Sequence, residues 1–162
     1  NMFLAPATAC LAVAVYTKLR ILKQYWLPVL VGCAAGSAAS MVCVYLLCRL
    51  FGLDEGLTVS LLPKSVTTPI AVSIAEPAGG MIPVTVAAVI FTGILGSILA
   101  PFLIRVFHVS DPVAAGLAIG ASSHAVGTSK AIEMGEIEGA MSGLAIGICG
   151  IMTVLFSMFA VQ

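Results

Sequence analysis

Charged side chains are scarce in this sequence, and their scarcity excludes an ordinary water-soluble domain. They make up 9% of the 162 residues, whereas soluble domains carry about 25%. Lysine plus arginine and aspartate plus glutamate each total 7, so no basic excess favours a nucleic-acid partner. Hydrophobic residues make up 60% of the chain, and the mean hydropathy is +1.17. We therefore predict an all-α, multi-pass integral membrane protein, because a bilayer leaves unpaired backbone groups unsatisfied.

Clusters of metal-binding or catalytic residues are also missing. The cysteines are scattered, so we predict neither a disulfide framework nor a metal site; they are Cys10, Cys33, Cys43, Cys48 and Cys149. The sequence has no Gly-x-Ser-x-Gly elbow and no glycine-rich nucleotide loop. We therefore expect no enzyme activity and no bound cofactor.

Three apolar stretches are long enough to cross a membrane as helices: residues 26–50, 82–107 and 139–161. A shorter apolar run over residues 2–16 is typical of the end of another helix, and no signal-peptide pattern is present, so we expect further residues upstream. The basic cluster of Lys18, Arg20 and Lys23 predicts a loop on the cytoplasmic side of a bacterial membrane, or on the equivalent face of an organelle envelope. Ser110 or Asp111 before Pro112 predicts a helix N-terminus.

Small residues recur at four-residue spacing on the predicted spans. Gly32, Gly36 and Ser40 form one such stripe. A stripe of this kind lets a second helix approach closely, although helices rich in glycine and alanine also produce the spacing by chance.

Two polar segments interrupt the apolar pattern. The first, residues 63–69, holds Lys64, Ser65, Thr67 and Thr68 between two prolines. An ordinary lipid-facing helix does not accommodate such a segment, because each proline removes a backbone donor and kinks the helix. The second, residues 122–130, contains Ser122, Ser123, His124, Gly127 and Thr128. We call these segments the first break and the second break.

The two breaks belong to an internal repeat. An offset of 60 residues aligns 56–81 with 116–141 without a gap, and eight pairs are identical. The pairs include Val66 with Val126 and Thr68 with Thr128, and Lys64 falls on His124. We therefore predict two repeat units within one membrane domain spanning residues 1–162: residues 56–107 and residues 116–161.

The lengths of the arms around the first break favour a hairpin over a crossing helix. Residues 57–62 and 70–75 form arms of six residues each, which span about 9 Å as helix. Such arms reach only the middle of the bilayer. We therefore favour re-entrant segments that enter and leave on the same side, with the two units inverted relative to each other.

The residue types in the breaks favour a small anion. A charged side chain at membrane depth indicates function by default, and half-helix N-termini add unpaired N–H groups and partial positive charge. Lys64 with neighbouring hydroxyls suits a carboxylate, and His124 could bind the substrate or carry a proton. The alternative is structural: hydroxyls satisfy backbone groups freed by the breaks, and Lys64 snorkels to an interface.

The acidic residues near the breaks are weaker candidates. Glu76 and Glu136 occupy matching positions in the repeat, where each is expected to cap a segment end at the membrane interface. We retain both as secondary substrate or proton residues. Lys130 with Glu133 has helical spacing, which favours a surface ion pair.

Several strings resemble the LrgB/CidB family over nearly the whole chain. They are Leu62-Pro-Lys-Ser-Val-Thr-Thr-Pro-Ile-Ala71 and Ser123-His-Ala-Val-Gly-Thr128, followed by the region from Glu136 to Gly143. Members of that family usually carry additional hydrophobic residues before the stretch that matches Pro6-Ala-Thr.

The resemblance implies one of two functions. Plastid members resemble glycolate/glycerate translocators and bacterial pairs have been connected with pyruvate, which implies a proton- or sodium-coupled transporter of small monocarboxylates. Bacterial members were named antiholin-like, which implies a protein that modulates a holin-like LrgA/CidA partner, murein hydrolases and lysis. A homo-oligomer is expected with either function.

Overall fold

The computed structural model of the chain describes Tyr16 and residues 19–160. Over these residues the secondary structure consists of helices joined by short turns. The helices are α1 (Leu19–Leu50), α2 (Glu55–Leu61), α3 (Thr68–Ala75), α4 (Ile82–Val106), α5 (Pro112–Met134) and α6 (Glu136–Ala160). The apolar run predicted at residues 2–16 lies outside the described residues except for Tyr16, and so does Cys10.

Three of these helices have the length and composition to cross a bilayer. They are the Tyr25–Leu50 part of α1, the whole of α4, and Glu136–Met158 of α6. Helix α4 exposes large apolar side chains that water would not tolerate, including Phe91, Ile98 and Phe102. The prediction of an all-helical, multi-pass membrane protein is confirmed.

Helix α1 begins at Leu19, earlier than the span predicted from residue 26. The helix is kinked at Tyr25, whose φ of −116° and ψ of 20° are not helical, and Pro28 follows one turn later. Proline cannot donate to the preceding turn, which explains why the regular helix is interrupted there. The apolar part that spans the membrane therefore starts at Tyr25, close to the predicted boundary.

The first break lies between α2 and α3, and the turn that follows α3 returns to α2. A Cβ added at Gly56, in the first turn of α2, would lie 3.7 Å from the carbonyl oxygen of Gly79. Ser60 Oγ, near the end of α2, accepts a hydrogen bond from Met81 N at 2.6 Å. The residues that follow α3 are therefore neighbours of α2.

Helix α5 contains the second break and is sharply bent at His124. Its N-terminus matches the prediction, because Asp111 Oδ1 accepts a hydrogen bond from Val113 N at 2.9 Å and Pro112 is the first helical residue. Its first arm lies beside the start of α6, because a Cβ added at Gly116 would collide with the backbone of Glu138, four residues after the second arm ends.

The core is centred on α6, which is the most buried of the three spanning helices. Met141, Ala145 and Cys149 of α6 pack against Val29 and Cys33 of α1. A separate cluster joins Ala100 of α4 to both arms of α5 through Ile119 and Ala131. Helices α4 and α6 thus hold the bent helix α5 between them.

Candidate functional site

The first break is a short turn that carries Lys64 at the end of α2. Lys64 N donates to the carbonyl of Leu61 at 3.2 Å, and Val66 N donates to the carbonyl of Pro63 at 3.3 Å. Pro63 itself is fully buried, and Pro69 lies at the start of α3. The turn therefore ends α2 and starts α3 without continuing either helix.

Lys64 is half-buried and has little to bind within the protein. Its ammonium donates a long hydrogen bond, 3.4 Å from Nζ to Ser65 Oγ. Ser65 Oγ is also 2.7 Å from Ser40 Oγ on α1, so two hydroxyls form a pair across the helix interface. The ammonium therefore keeps donors available for an external acceptor.

Within the second break, the helix is interrupted at one residue, which has a left-handed conformation. His124 has φ 40° and ψ −139°, and its side chain is 5% exposed. Its ring nitrogen Nε2 lies 2.9 Å from the carbonyl oxygen of Val89 in α4. Gly93 leaves room for the ring, since a Cβ there would lie 2.6 Å from His124 Cε1. The histidine thus fastens the bend of α5 to the middle of α4.

The serines of the second break are held by their own helix and by α4. Ser122 Oγ donates to the carbonyl of Ala118 at 2.8 Å and lies 3.0 Å from Ser123 Oγ. Ser123 is buried against Gly96, where any added Cβ would collide with the serine side chain. Two glycines of α4 therefore create the space into which the second break inserts.

The residues after the bend face α6. Thr128 Oγ1 donates to the carbonyl of His124 at 2.9 Å and lies 2.7 Å from Ser142 Oγ of α6. A Cβ at Gly127 would collide with Ser123 across the bend. Both residues stabilise the second arm of α5.

Two cavities meet where the breaks approach each other. The wide cavity, of about 720 Å³, extends from Tyr25 and Asp111 at the membrane surface to Lys64 and Ser65 at the first break. The lateral groove, of about 550 Å³, follows α4 and reaches Lys64, Ser122 and Ser123. Both volumes fall within the range of small-molecule sites, about 300–1,000 Å³.

Lys64 and Ser122 line both cavities, so one residue from each break occupies the wall between them. Most of the remaining wall is apolar. Asp111 is the one acidic residue in the wall of the wide cavity, and its carboxylate already caps α5. Lys64 is therefore the uncompensated charge at the inner end of that cavity.

The structure brings together four of the predicted site residues: Lys64, Ser65, Ser122 and Ser123. It places the other five outside the walls of these cavities: Thr67, Thr68, His124, Gly127 and Thr128. Glu76 and Glu136 are exposed and lie at the end of α3 and at the start of α6, and their role as secondary substrate or proton residues stays a prediction. Lys130 forms the predicted ion pair with Glu133 at 2.7 Å.

Sequence reasoning did not assign Ser40 to the site. Its spacing with Gly32 and Gly36 was interpreted as a helix-packing stripe, but all three residues line the wide cavity. No heavy atom lies within 4 Å of a Cβ added at Gly32, and Gly36 meets Ala121 at 3.6 Å. The sequence feature that could have identified Ser40 is its polar side chain at the end of a stripe of glycines.

Within the described part of the chain, no group of three or more histidine, cysteine, aspartate or glutamate side chains could hold a metal ion. The helical bundle, its three apolar spans and its two breaks define a multi-pass membrane protein.

The chain belongs to the LrgB-like family, whose model matches residues 1–162. It is 39% identical over 155 residues to the antiholin-like protein LrgB of Bacillus mycoides, a match that covers 96% of this chain and 67% of that protein. It is 38% identical over 155 residues to proteins of the same name from Bacillus cereus and Bacillus anthracis, again over 96% of this chain and 67% of theirs. No solved structure matches the chain.

Proposed function

We propose that this protein transports small monocarboxylates through a site formed where the two breaks meet. The observation that carries the proposal is the shared wall: Lys64 of the first break and Ser122 of the second line both cavities. Sites between broken helices near the bilayer middle recur among secondary transporters.

The chemistry of the site favours a carboxylate with a small polar substituent. Lys64 supplies a positive charge, and Ser65 and Ser122 supply hydroxyls that can donate to a carboxylate or bind a substrate hydroxyl. Glycolate, glycerate and pyruvate have this combination of charge and size.

The contacts within each segment support re-entrant hairpins. Gly56 lies beside Gly79 around the first break, and Gly116 lies beside Glu138, just beyond the second arm, around the second. Each spanning helix also touches the other unit's segment. His124 binds Val89 of α4, and a Cβ at Gly150 of α6 would lie 2.7 Å from Ile70 of α3. This exchange of contacts supports an inverted repeat. We propose that its units move against each other and that a proton or a sodium ion is coupled to the movement.

Transport is tested by reconstituting the chain, with a holin-like LrgA partner, in liposomes. Uptake of labelled glycolate, glycerate and pyruvate is followed at two pH values and with or without a sodium gradient. We expect uptake of at least one of them. Absence of uptake for all three, with protein that is folded and correctly inserted, would refute the proposal.

A second candidate function is antiholin-like modulation of a membrane partner, and the names of the Bacillus relatives favour it more directly than they favour transport. In that case an exposed helix face, such as that of Phe91, Ile98 and Phe102 on α4, would contact the partner. Co-expression with a holin-like protein, read out as lysis and murein hydrolase activity, tests this function. Lysis control that survives loss of Lys64 but fails when the α4 face is made polar would support it over transport.

A further inference from the structure

A small closed pocket lies beside the candidate site. Its volume is about 10 Å³, which is about the space of one water-sized sphere. It is formed where α1, the first break, α5 and α6 meet, and its polar residues are Ser37, Ser40, Ser65 and Thr153. We call it the hydroxyl pocket.

One hydroxyl in this pocket has no hydrogen-bond partner among the described residues. Ser37 is 4% exposed, and its Oγ makes no hydrogen bond to any described residue. Leaving a buried hydroxyl without a hydrogen bond destabilises the folded protein. A buried, unpaired oxygen that lines a cavity of this size therefore indicates a ligand in the pocket.

We propose that the hydroxyl pocket binds a single sodium ion. The oxygen-bearing side chains of its wall are all hydroxyls, whose lone pairs can coordinate a cation, and the thiol of Cys149 lines the same wall. No carboxylate lines the pocket, and carboxylates are the ligands on which calcium and magnesium sites are built. A carboxylate anion is too large to occupy a pocket of this volume. Helix α2 also ends at this point, and its last carbonyls add partial negative charge.

The pocket is coupled to the cavity through Ser65. This serine lines both, and its Oγ lies 3.4 Å from Lys64 Nζ. The ammonium therefore repels a cation in the pocket until an anion neutralises it. A sodium ion and a carboxylate at Lys64 should each raise the affinity of the other, as linkage requires. This coupling, unlike the sodium site itself, rests on the proposed function.

The sodium site is tested by the melting temperature of the purified chain in nanodiscs, in sodium chloride and in potassium chloride at equal ionic strength. We expect sodium to raise the melting temperature and Ser37→Ala to abolish that rise. Without sodium, the variant should be at least as stable as the wild type, because it lacks the orphan hydroxyl. Ser97→Ala is the control, since Ser97 Oγ donates only to the carbonyl of Ile94 in its own helix.

Lys64→Gln should strengthen sodium binding, whereas Ser37→Ala should weaken it. Removing the ammonium should raise the apparent sodium affinity by about a hundredfold, as expected for a unit charge roughly 6 Å from the ion at an effective dielectric of about 20. It should also remove any effect of glycolate on sodium binding. If Ser37→Ala does not fold, Thr153→Val removes another hydroxyl from the pocket at nearly constant shape and is expected to lose the sodium response.

The outcomes separate this site from the proposed function. Equal stabilisation by sodium and potassium, unaffected by Ser37→Ala and Thr153→Val, would mean that the pocket holds only water and would overturn the proposal. Stabilisation by glycolate without any sodium response would also overturn it, while leaving the carboxylate site intact. A Ser37-dependent sodium response without any glycolate effect would support the sodium site and count against carboxylate transport.

Discussion

The two breaks occupy matching positions in the repeat but are built in different ways. The first is a turn flanked by prolines, and its charged residue, Lys64, is half-buried beside two cavities. The second is a single left-handed residue, His124, which is buried and bound to the carbonyl of Val89. Glycines of α4 surround the second break, whereas a hydroxyl from α1 meets the first.

The difference indicates a division of roles. Lys64 has donors to spare and faces open space, so the first break supplies the charge that would bind an anion. His124 has its ring engaged with α4, so it positions the second break, and the adjacent Ser122 and Ser123 reach the cavities in its place. In the proposed function, the first break therefore serves binding and the second serves packing.

The largest expected effect on function comes from Lys64→Ala. Loss of one partner of a buried charge pair costs about 2–5 kcal/mol, so we expect carboxylate uptake to fall at least about 30-fold at that lower figure. The melting temperature should hardly change, because the lysine makes only the long contact with Ser65. Lys130→Ala is the matched control, since its surface pair with Glu133 is worth about 0–1 kcal/mol. Unchanged uptake in Lys64→Ala would remove the assigned role.

The packing role of α4 is tested by Gly96→Ala. The new methyl would collide with both Cβ and Oγ of Ser123, so rotating the serine cannot relieve the overlap. We expect a loss of about 1–3 kcal/mol in the free energy of unfolding. Gly147→Ala in α6 is the control, because no heavy atom lies within 4 Å of its added Cβ. Equal melting temperatures for the two variants would contradict the packing of the second break against α4.

The backbone of the second break is tested by comparing His124→Gly with His124→Ala. Both variants lose the bond to Val89 and the buried ring, but only glycine adopts a φ of 40° without strain. We expect the glycine variant to be more stable by about 1 kcal/mol, as measured by thermal unfolding in detergent. A more stable alanine variant would show that the bend is not left-handed at this residue.

The smallest effect is expected for the hydroxyl pair that supports the first break. Ser40→Ala and Ser65→Ala should each cost about 0.5–1.5 kcal/mol of stability. The double variant should cost less than the sum, because the two hydroxyls bind each other at 2.7 Å. Ser73→Ala is the control, since that exposed hydroxyl donates within its own helix. Additive costs would exclude a direct Ser40–Ser65 interaction.

Much of the architecture was predictable because it depends on local pattern. Long apolar runs specify spanning helices, and α4 was predicted to within one residue at its C-terminal end. Asp111 before Pro112 predicted the start of α5, because the side chain caps free N–H groups nearby in the sequence. The start of α1 was less predictable, because the kink at Tyr25 lies where the apolar pattern begins.

The candidate site was only half predictable. Two prolines, a lysine and hydroxyls marked the first break, and a histidine with hydroxyls marked the second, but residue type does not reveal which side chain faces a cavity. Ser40 was missed because its partner, Ser65, is distant in the sequence and meets it only in the folded protein. The prediction that His124 binds substrate remains a prediction, and the structure directs its Nε2 to the carbonyl of Val89.

The sequence by itself determined the environment of the protein and the places where its helices break. A chain with so few charges must lie in a bilayer, and prolines or clustered polar residues interrupt helices wherever they occur. Only the tertiary structure decided what each break does. Lys64 faces two cavities and His124 faces a carbonyl because α1, α4 and α6 pack around the breaks from distant parts of the chain. Such packing depends on which glycine lies against which side chain, as Gly93 does against His124 and Gly96 against Ser123. These contacts join residues that are far apart in the sequence, so the pattern of residues along the chain does not predict them.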